Sequence, residues 1–179
     1  MEIHDAIELL RDAVGDGRGV WADLGAGTGT FTRALGASLA AGSTIYAVDD
    51  DASAVRALAS LAAASPAQLF AVKADFTRPL TLPEPGDTPL DGILLANSLH
   101  FVADAETVLA GLVGRLRPGG RAVVVEYDRR DASRWVPYPI PASHWPALAA
   151  ASGLIDAKIT ATRPSAYQGM LYAGSATKP

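Results

Sequence analysis

Apolar positions along the chain follow two patterns, one with helical spacing and one continuous. Ile3, Ile7, Leu10 and Val14 recur three or four residues apart, which predicts an amphipathic helix over residues 3–14. Unbroken apolar runs predict five buried strands, over residues 20–24, 43–50, 67–76, 91–97 and 121–127. Helical patterns lie between them, over residues 30–40, 52–65 and 104–117, and a proline-rich loop covers 77–89. The RPGG segment, residues 117–120, is predicted to be the turn that leads into the fifth strand. Such alternation is typical of a doubly wound α/β fold, a mostly parallel sheet with helices on both faces.

The pattern changes after Tyr127. Residues 128–141 form a loop that is interrupted by prolines and carries two aromatic side chains, and a short helix is predicted over 143–152. Two strands follow, over 154–162 and 169–176, with a connection too short for a right-handed crossover. They are therefore predicted to form a C-terminal antiparallel hairpin, which gives a seven-stranded sheet in a single domain over residues 1–179.

Composition and charge narrow the function classes. The 179 residues carry a formal net charge of -4, and the arginines are scattered, which disfavours a nucleic-acid partner. The sequence has no cysteine, so disulfides, thiolate metal sites and a cysteine nucleophile are excluded. We find no metal-ligand cluster at a recognisable spacing and expect no metal. No signal-peptide pattern or membrane-length apolar run occurs, and we expect a cytoplasmic monomer or homodimer without membrane contact.

The stretch ADLGAGTGTF, residues 22–31, places three glycines at alternate positions directly after the first strand. A dinucleotide fingerprint has the spacing G-x-G-x-x-G, which Gly25 and Gly27 begin but Thr30 breaks. Asp23 stands two residues before the first glycine, where a carboxylate would oppose a pyrophosphate and suit a ligand with a positive charge. The spacing therefore argues against NAD or a flavin.

These features resemble the class I S-adenosylmethionine-dependent methyltransferases, whose pattern opens with an acid followed by G-x-G-x-G. The resemblance continues with an acid after the second strand in YAVDDD, with ADF after the third and with the polar end of ILLANSLHF after the fourth. LRPGGRAVVVEYD is similar to the fifth-strand segment of that family. The resemblance implies a Rossmann-like methyltransferase fold and S-adenosyl-L-methionine as the cofactor.

The resemblance also implies roles for individual residues. The glycine loop would line the methionine part of the cofactor, with Asp23 near its amino group, directly or through water. A carboxylate after the second strand would accept hydrogen bonds from the ribose hydroxyls. That residue is Asp49. Because three aspartates follow one another there, Asp50 is a second candidate for the same contact. The implied cofactor-binding residues are Asp23, Gly25, Ala26, Gly27, Gly29, Asp49, Asp50, Asp75 and Phe76 (both beside adenine), and Asn97.

The acceptor site is less specified by the sequence. A base is needed only where the acceptor must lose a proton, and His100, in the loop after the fourth strand, is the candidate, with packing of the ring as the alternative. Glu126 and Tyr127, at the end of the fifth strand, are further catalytic candidates and are expected to point toward the substrate. NSLHF is similar to the small-molecule group of the family, which implies methyl transfer to a small molecule by in-line displacement. Residues 1–18 and the 128–141 loop are expected to cover the site. A non-catalytic protein that binds the cofactor or a partner is the alternative function.

Overall fold

Seven strands form one sheet in the order β3-β2-β1-β4-β5-β7-β6. The structure, a computed structural model, describes residues 1–83, 88–129, 131–166 and 169–179. The strands are β1 (Val20–Leu24), β2 (Thr44–Asp49), β3 (Gln68–Lys73), β4 (Leu90–Ala96), β5 (Leu116–Tyr127), β6 (Ile155–Pro164) and β7 (Met170–Thr177). The helices are α1 (Ile3–Val14), α2 (Thr30–Ser38), α3 (Ala52–Leu61), α4 (Ala105–Val113) and α5 (Trp145–Ala151).

The first five strands are parallel, and β7 lies antiparallel to both β5 and β6. The predicted mostly parallel sheet with a C-terminal antiparallel hairpin is therefore confirmed. Strand β1 lies between β2 and β4, so the strand order reverses there. Ligands of doubly wound sheets bind beyond the carboxyl ends of the strands at such a reversal. The loops that begin at Gly25 and at Asn97 follow β1 and β4, the strands at this reversal.

Two apolar cores cover the two faces of the sheet. On one face, α1 and α2 pack against β1, β4 and β5, with the side chains of Leu10, Leu35 and Trp21 buried. On the other face, α4 and α5 pack on the same strands and bury Leu109 and Trp145. No helix links β3 to β4 in the part of that connection the structure describes. Two leucines of the connection, Leu80 and Leu82, cover the sheet instead. Residues 84–87 of the predicted proline-rich loop lie outside the described residues.

The largest departure from the predicted boundaries lies between α4 and β5. The helix ends at Val113 and not at residue 117, and β5 begins already at Leu116. The pairing with β4 jumps from Leu90–Leu116 to Gly92–Arg121, so the predicted RPGG turn is a bulge within β5. Gly119 has a φ of 75° there, a conformation that glycine adopts without steric cost.

None of the helices in the described residues is long and apolar enough to cross a membrane. The longest of them, α1, has 12 residues and buries one face against the sheet. Its bounds agree with the predicted helix over residues 3–14.

Candidate active site

The loop after β1 is held open by the backbone. Gly25, Gly27 and Gly29 all have positive φ, and the N–H groups of Gly25 and Ala26 donate to the carbonyl of Val48. A Cβ on Gly27 would meet no protein atom within 4 Å. A Cβ on Gly25 would instead lie 2.5 Å from the Cβ of Ser98. Gly27 therefore faces open space, while Gly25 allows close packing with the loop after β4.

This open space is a cavity of about 640 Å³. One wall is the glycine loop, from Gly25 to Thr28, and a second side is formed by residues of the N-terminal segment and the C-terminal hairpin. Met1 and Asp5 lie at this second side, where Asp5 forms an ion pair with Arg163 of β6 at 2.7 Å. The beginning of α1 thus lines the cavity next to the glycine loop.

Asp49 does not itself line this cavity, but it connects the end of β2 to the glycine loop, which does. One carboxylate oxygen accepts the N–H of Gly27 at 2.8 Å and the other accepts the N–H of Asp51 at 2.9 Å. Each oxygen of a carboxylate can accept a second hydrogen bond, so Asp49 keeps the capacity to bind two hydroxyls. Asp50 is exposed, and the side chain of Asp51 accepts the N–H groups of Ser53 and Ala54 as the N-cap of α3.

Asp23 lies fully buried beneath the same loop. One of its oxygens accepts the hydroxyl of Thr32 at 2.6 Å, and the other, Oδ1, accepts no hydrogen bond from the described residues. Burial raises the pKa of Asp23 to about 7, the Thr32 hydroxyl opposes the rise and the charge of Asp49 adds to it. A cation near the free oxygen would stabilise the ionised form of this buried carboxyl group.

Asp75 and Phe76 follow β3 and do not line either of the two cavities at the sheet edge. The carboxylate of Asp75 accepts the N–H and the hydroxyl of Thr77 and forms an ion pair with Arg78 at 3.2 Å. These contacts lower the pKa of Asp75, the Thr77 hydroxyl most. The Cε1 atom of Phe76 lies 3.3 Å from the position of a Cβ on Gly25, so its ring borders the glycine loop.

Asn97 ends β4 in a strained conformation. Its φ is 54°, which is uncommon for a residue other than glycine, and its N–H donates to the carbonyl of Val125. Its Oδ1 atom is buried and accepts no hydrogen bond from the described residues. Asn97 and Tyr127 line both the 640 Å³ cavity and a second, adjacent one.

The second cavity, of about 650 Å³, lies beyond the ends of β4 and β5. His100 and Phe101 form one side, and the loop after β5 forms another with Trp135 and Val136. This is the size of a small-molecule site. Trp135 and Val136 belong to the loop over residues 128–141 that was expected to cover the site, and both border the cavity. Arg130 of that loop lies outside the described residues.

His100 and Glu126 form a buried pair at the base of this second cavity. The Nδ1 atom of His100 lies 2.5 Å from Oε2 of Glu126, and both side chains are at most 2% exposed. The other oxygen of Glu126 accepts the N–H groups of Leu99 and His100. Burial raises the pKa of Glu126, and the hydrogen bond from His100 opposes this most strongly. Glu126 was predicted to face the substrate, but it lies beneath His100 and holds its ring.

Among the residues that the structure describes, one group of side chains has ligand atoms close enough together to hold a metal ion. Its members are His4, Asp5 and Glu8 on α1. His4 already pairs with Glu8 at 3.5 Å and Asp5 with Arg163, and two of the three are exposed. This cluster lies apart from the His100–Glu126 pair and resembles an ordinary solvated helix face.

Comparisons with known proteins identify the class. The sequence profile of the methyltransferase domain family matches residues 22–122, more than half of the chain, so the chain belongs to this family. No protein of curated function matches the sequence. Solved methyltransferase structures match this chain over 98–99% of its length. The chain is a class I S-adenosylmethionine-dependent methyltransferase, and the resemblance seen in the sequence is confirmed.

Three of these structures illustrate the fold. A possible histamine N-methyltransferase from Thermotoga maritima has a TM-score of 0.76 at 18% identity, with 99% of this chain and 90% of that chain covered. A methyltransferase from Aquifex aeolicus has a TM-score of 0.75 at 15% identity, covering 98% and 90%. The 1,6-didemethyltoxoflavin-N1-methyltransferase of Burkholderia thailandensis has a TM-score of 0.71 at 21% identity, covering 99% and 78%, and contains 1,6-didemethyltoxoflavin and S-adenosylhomocysteine.

The residues present fit the cofactor of this class. Gly27 leaves a cradle that a Cβ would fill, and Asp23 keeps a buried oxygen free for a cation. Sequence reasoning missed two further groups. Ser98 donates its hydroxyl to the carbonyl of Leu24 and so ties the loop after β4 to the glycine loop, and Arg163 reaches the cavity from the hairpin. Neither follows a sequence motif, because each acts through a contact between distant segments.

Proposed function

We propose that the protein transfers the methyl group of S-adenosylmethionine to a small-molecule acceptor by in-line displacement. The observation that carries this proposal is the pair of adjacent cavities that share Asn97 and Tyr127 as lining residues. One cavity adjoins the glycine loop and the other adjoins His100. Methyl transfer needs a donor and an acceptor aligned across one point, and such positioning lowers the barrier by several kcal/mol.

The cofactor supplies an electrophilic methyl group on a sulfonium, which leaves as a neutral thioether. We assign its methionine part to the backbone of Gly25 to Gly29 and its ribose to Asp49. Asp23 stabilises the positively charged end, and Asn97 closes the cavity toward the acceptor. Asp75 and Phe76 are proposed to border the adenine, although the carboxylate of Asp75 already accepts two hydrogen bonds from Thr77. Asp50, which is exposed, is the weaker of the two ribose candidates.

His100 is proposed as the general base. We assign the ring proton to Nδ1, which lies 2.5 Å from Oε2 of Glu126, and this tautomer leaves Nε2 as an acceptor. Glu126 is thus a positioning residue, since it is 1% exposed and accepts three hydrogen bonds from the His100 loop. Tyr127 lies beside the imidazole, with the two ring centroids 6.0 Å apart, and is proposed to contact the acceptor.

Labelled-methyl transfer from S-adenosylmethionine, measured over a panel of small acceptors, tests the proposal. We expect His100→Ala to lower turnover roughly 10²- to 10⁴-fold. Glu126→Gln should lower kcat within the same range with little change in KM, because it disturbs the tautomer of His100 and not acceptor binding. His144→Ala is the matched control, since His144 is exposed and lines neither of these two cavities.

The affinity for S-adenosylhomocysteine, measured by calorimetry, separates the outcomes. It should be the same in the wild type and in the three variants, because none of the three residues lines the cofactor cavity or forms a hydrogen bond with the glycine loop. Near-normal turnover per folded His100→Ala molecule would remove His100 from the mechanism and leave a histidine that only packs. Binding of the cofactor without label transfer to any small molecule would favour a non-catalytic or macromolecule-directed protein.

A further inference from the structure

The walls of the second cavity are unusually rich in exposed aromatic surface. Phe101 is 56% exposed and Trp135 67% exposed, and both line it together with Met170. Three of the seven exposed large apolar side chains among the described residues thus line this one cavity, and such a grouping is characteristic of a ligand site. The indole of Trp135 is held in place by Arg134, whose guanidinium lies 4.3 Å from its ring centroid.

His100 lies inside this aromatic surface. Its imidazole ring packs against Phe101 with centroids 4.4 Å apart, and it lies near the ring of Tyr127. Nδ1 is engaged by Glu126, so Nε2 is the ring nitrogen left for an acceptor. A planar molecule that stacks on these rings would bring the atoms on its edge to the imidazole.

The strength of the base restricts the acceptor further. A phenol has a pKa of about 10, whereas an aliphatic hydroxyl is a far weaker acid, comparable to water. Proton transfer to an imidazole is therefore far more favourable from a hydroxyl on an aromatic ring than from an aliphatic alcohol. The same holds for an acidic N–H of an aromatic heterocycle.

We propose that the acceptor is a planar aromatic molecule whose methyl-accepting atom is a ring hydroxyl oxygen or a ring nitrogen that carries an acidic proton. This inference rests on the proposed function. The O–H or N–H bond breaks, and the proton passes to Nε2 of His100. The electron pair left on the oxygen or nitrogen forms the bond to the methyl carbon, and the pair of the former sulfur–carbon bond stays on sulfur. The imidazolium then releases its proton to water.

Binding and transfer are tested with three probes: 2-naphthol, its saturated analogue decahydro-2-naphthol, and phthalimide, a planar bicyclic molecule whose single nitrogen carries an acidic proton. Saturation-transfer NMR and calorimetry on the protein, with and without S-adenosylhomocysteine, measure affinity apart from turnover. We expect at least one aromatic probe to bind roughly tenfold more tightly than the saturated analogue and to accept labelled methyl. Methylation of 2-naphthol assigns an oxygen acceptor, and methylation of phthalimide assigns a nitrogen acceptor that loses its proton.

Variants locate the binding. Trp135→Ala and Phe101→Ala should each weaken aromatic binding roughly 3- to 10-fold, while Ile155→Ala, an exposed residue outside the cavity, should not. The fluorescence of Trp135 gives an internal signal, because the other two tryptophans, Trp21 and Trp145, are buried. If the cofactor product binds but the aromatic probes bind no better than the saturated one, the aromatic acceptor is overturned and the proposed function stands. If the cofactor product does not bind, the proposed function fails whatever the aromatic probes do.

Discussion

Gly25 and Gly27 adopt the same left-handed backbone but face different surroundings, and this difference predicts two distinct effects. In Gly27→Ala the new methyl group would enter the cofactor cavity, because no protein atom lies within 4 Å of it. We expect affinity for S-adenosylhomocysteine to fall at least about tenfold, while stability falls by about 1–2 kcal/mol from the positive φ. Calorimetry and urea unfolding measure the two effects separately.

Gly25→Ala is the matched variant. Its methyl group would collide with the Cβ of Ser98 at 2.5 Å, so the loss of stability should exceed that of Gly27→Ala. Unchanged cofactor affinity in Gly27→Ala would mean that the loop does not approach the cofactor closely.

At the residue scale, the sequence could place functional groups but not their pairings. The glycine loop and Asp49 follow directly from strand ends and spacing, and the structure brings them together through the hydrogen bond from Gly27 to Asp49. The contact between His100 and Glu126 joins residues 26 positions apart. It depends on β4 and β5 being neighbours and in register, which no local pattern specifies.

At the scale of elements, the segment from β2 to α3 divides its three aspartates between two tasks. Asp49 links the strand to the glycine loop, and Asp51 caps the helix. A hydrogen bond to a charged acceptor contributes roughly 1.5–3 kcal/mol. We therefore expect Asp49→Ala to weaken binding of S-adenosylhomocysteine, measured by calorimetry, at least about tenfold. Asp51→Ala should leave that affinity unchanged and only destabilise the fold, as the loss of a helix cap does.

The same pair of variants checks the register of the run. A larger loss of affinity in Asp51→Ala, or in Asp50→Ala, would move the ribose contact along the chain. A loss of affinity confined to Asp49→Ala would support the assignment proposed above.

Element boundaries were predictable where periodicity was strong and failed where turn residues lie inside a strand. The helix over residues 3–14 agrees with α1, whose apolar stripe is regular. The RPGG segment was expected to be a turn because proline and glycine usually end a strand. In the sheet, Leu116 already pairs with Leu90, so β5 begins before that segment and the turn residues form a bulge within the strand. Tertiary pairing outweighs local preference there.

At the scale of the whole molecule, the buried Asp23 gives stability a pH dependence. Burial raises its pKa to about 7, whereas an unfolded aspartate titrates near pH 4. Between these values the unfolded chain loses a proton that the folded chain retains, so unfolding releases a proton and stability falls as the pH rises. This stabilising contribution is complete below about pH 4 and is lost by about pH 7. The buried carboxyl group of Asp23 therefore lowers the stability of the fold at neutral pH.

Asp23→Asn tests this origin, because the amide oxygen can still accept the Thr32 hydroxyl but does not titrate. Urea unfolding of the wild type and of the variant, from pH 4.5 to pH 8, should give a stability difference that shifts in favour of the variant by on the order of a few kcal/mol. The contribution of Glu126 cancels in this difference, since both proteins contain it. Asp104→Asn is the control, because Asp104 is an exposed helix cap with a lowered pKa and asparagine caps equally well. Parallel stability curves for the wild type and Asp23→Asn over this range would show that Asp23 is already ionised in the folded protein. Its free oxygen would then hold a charge before any cofactor binds.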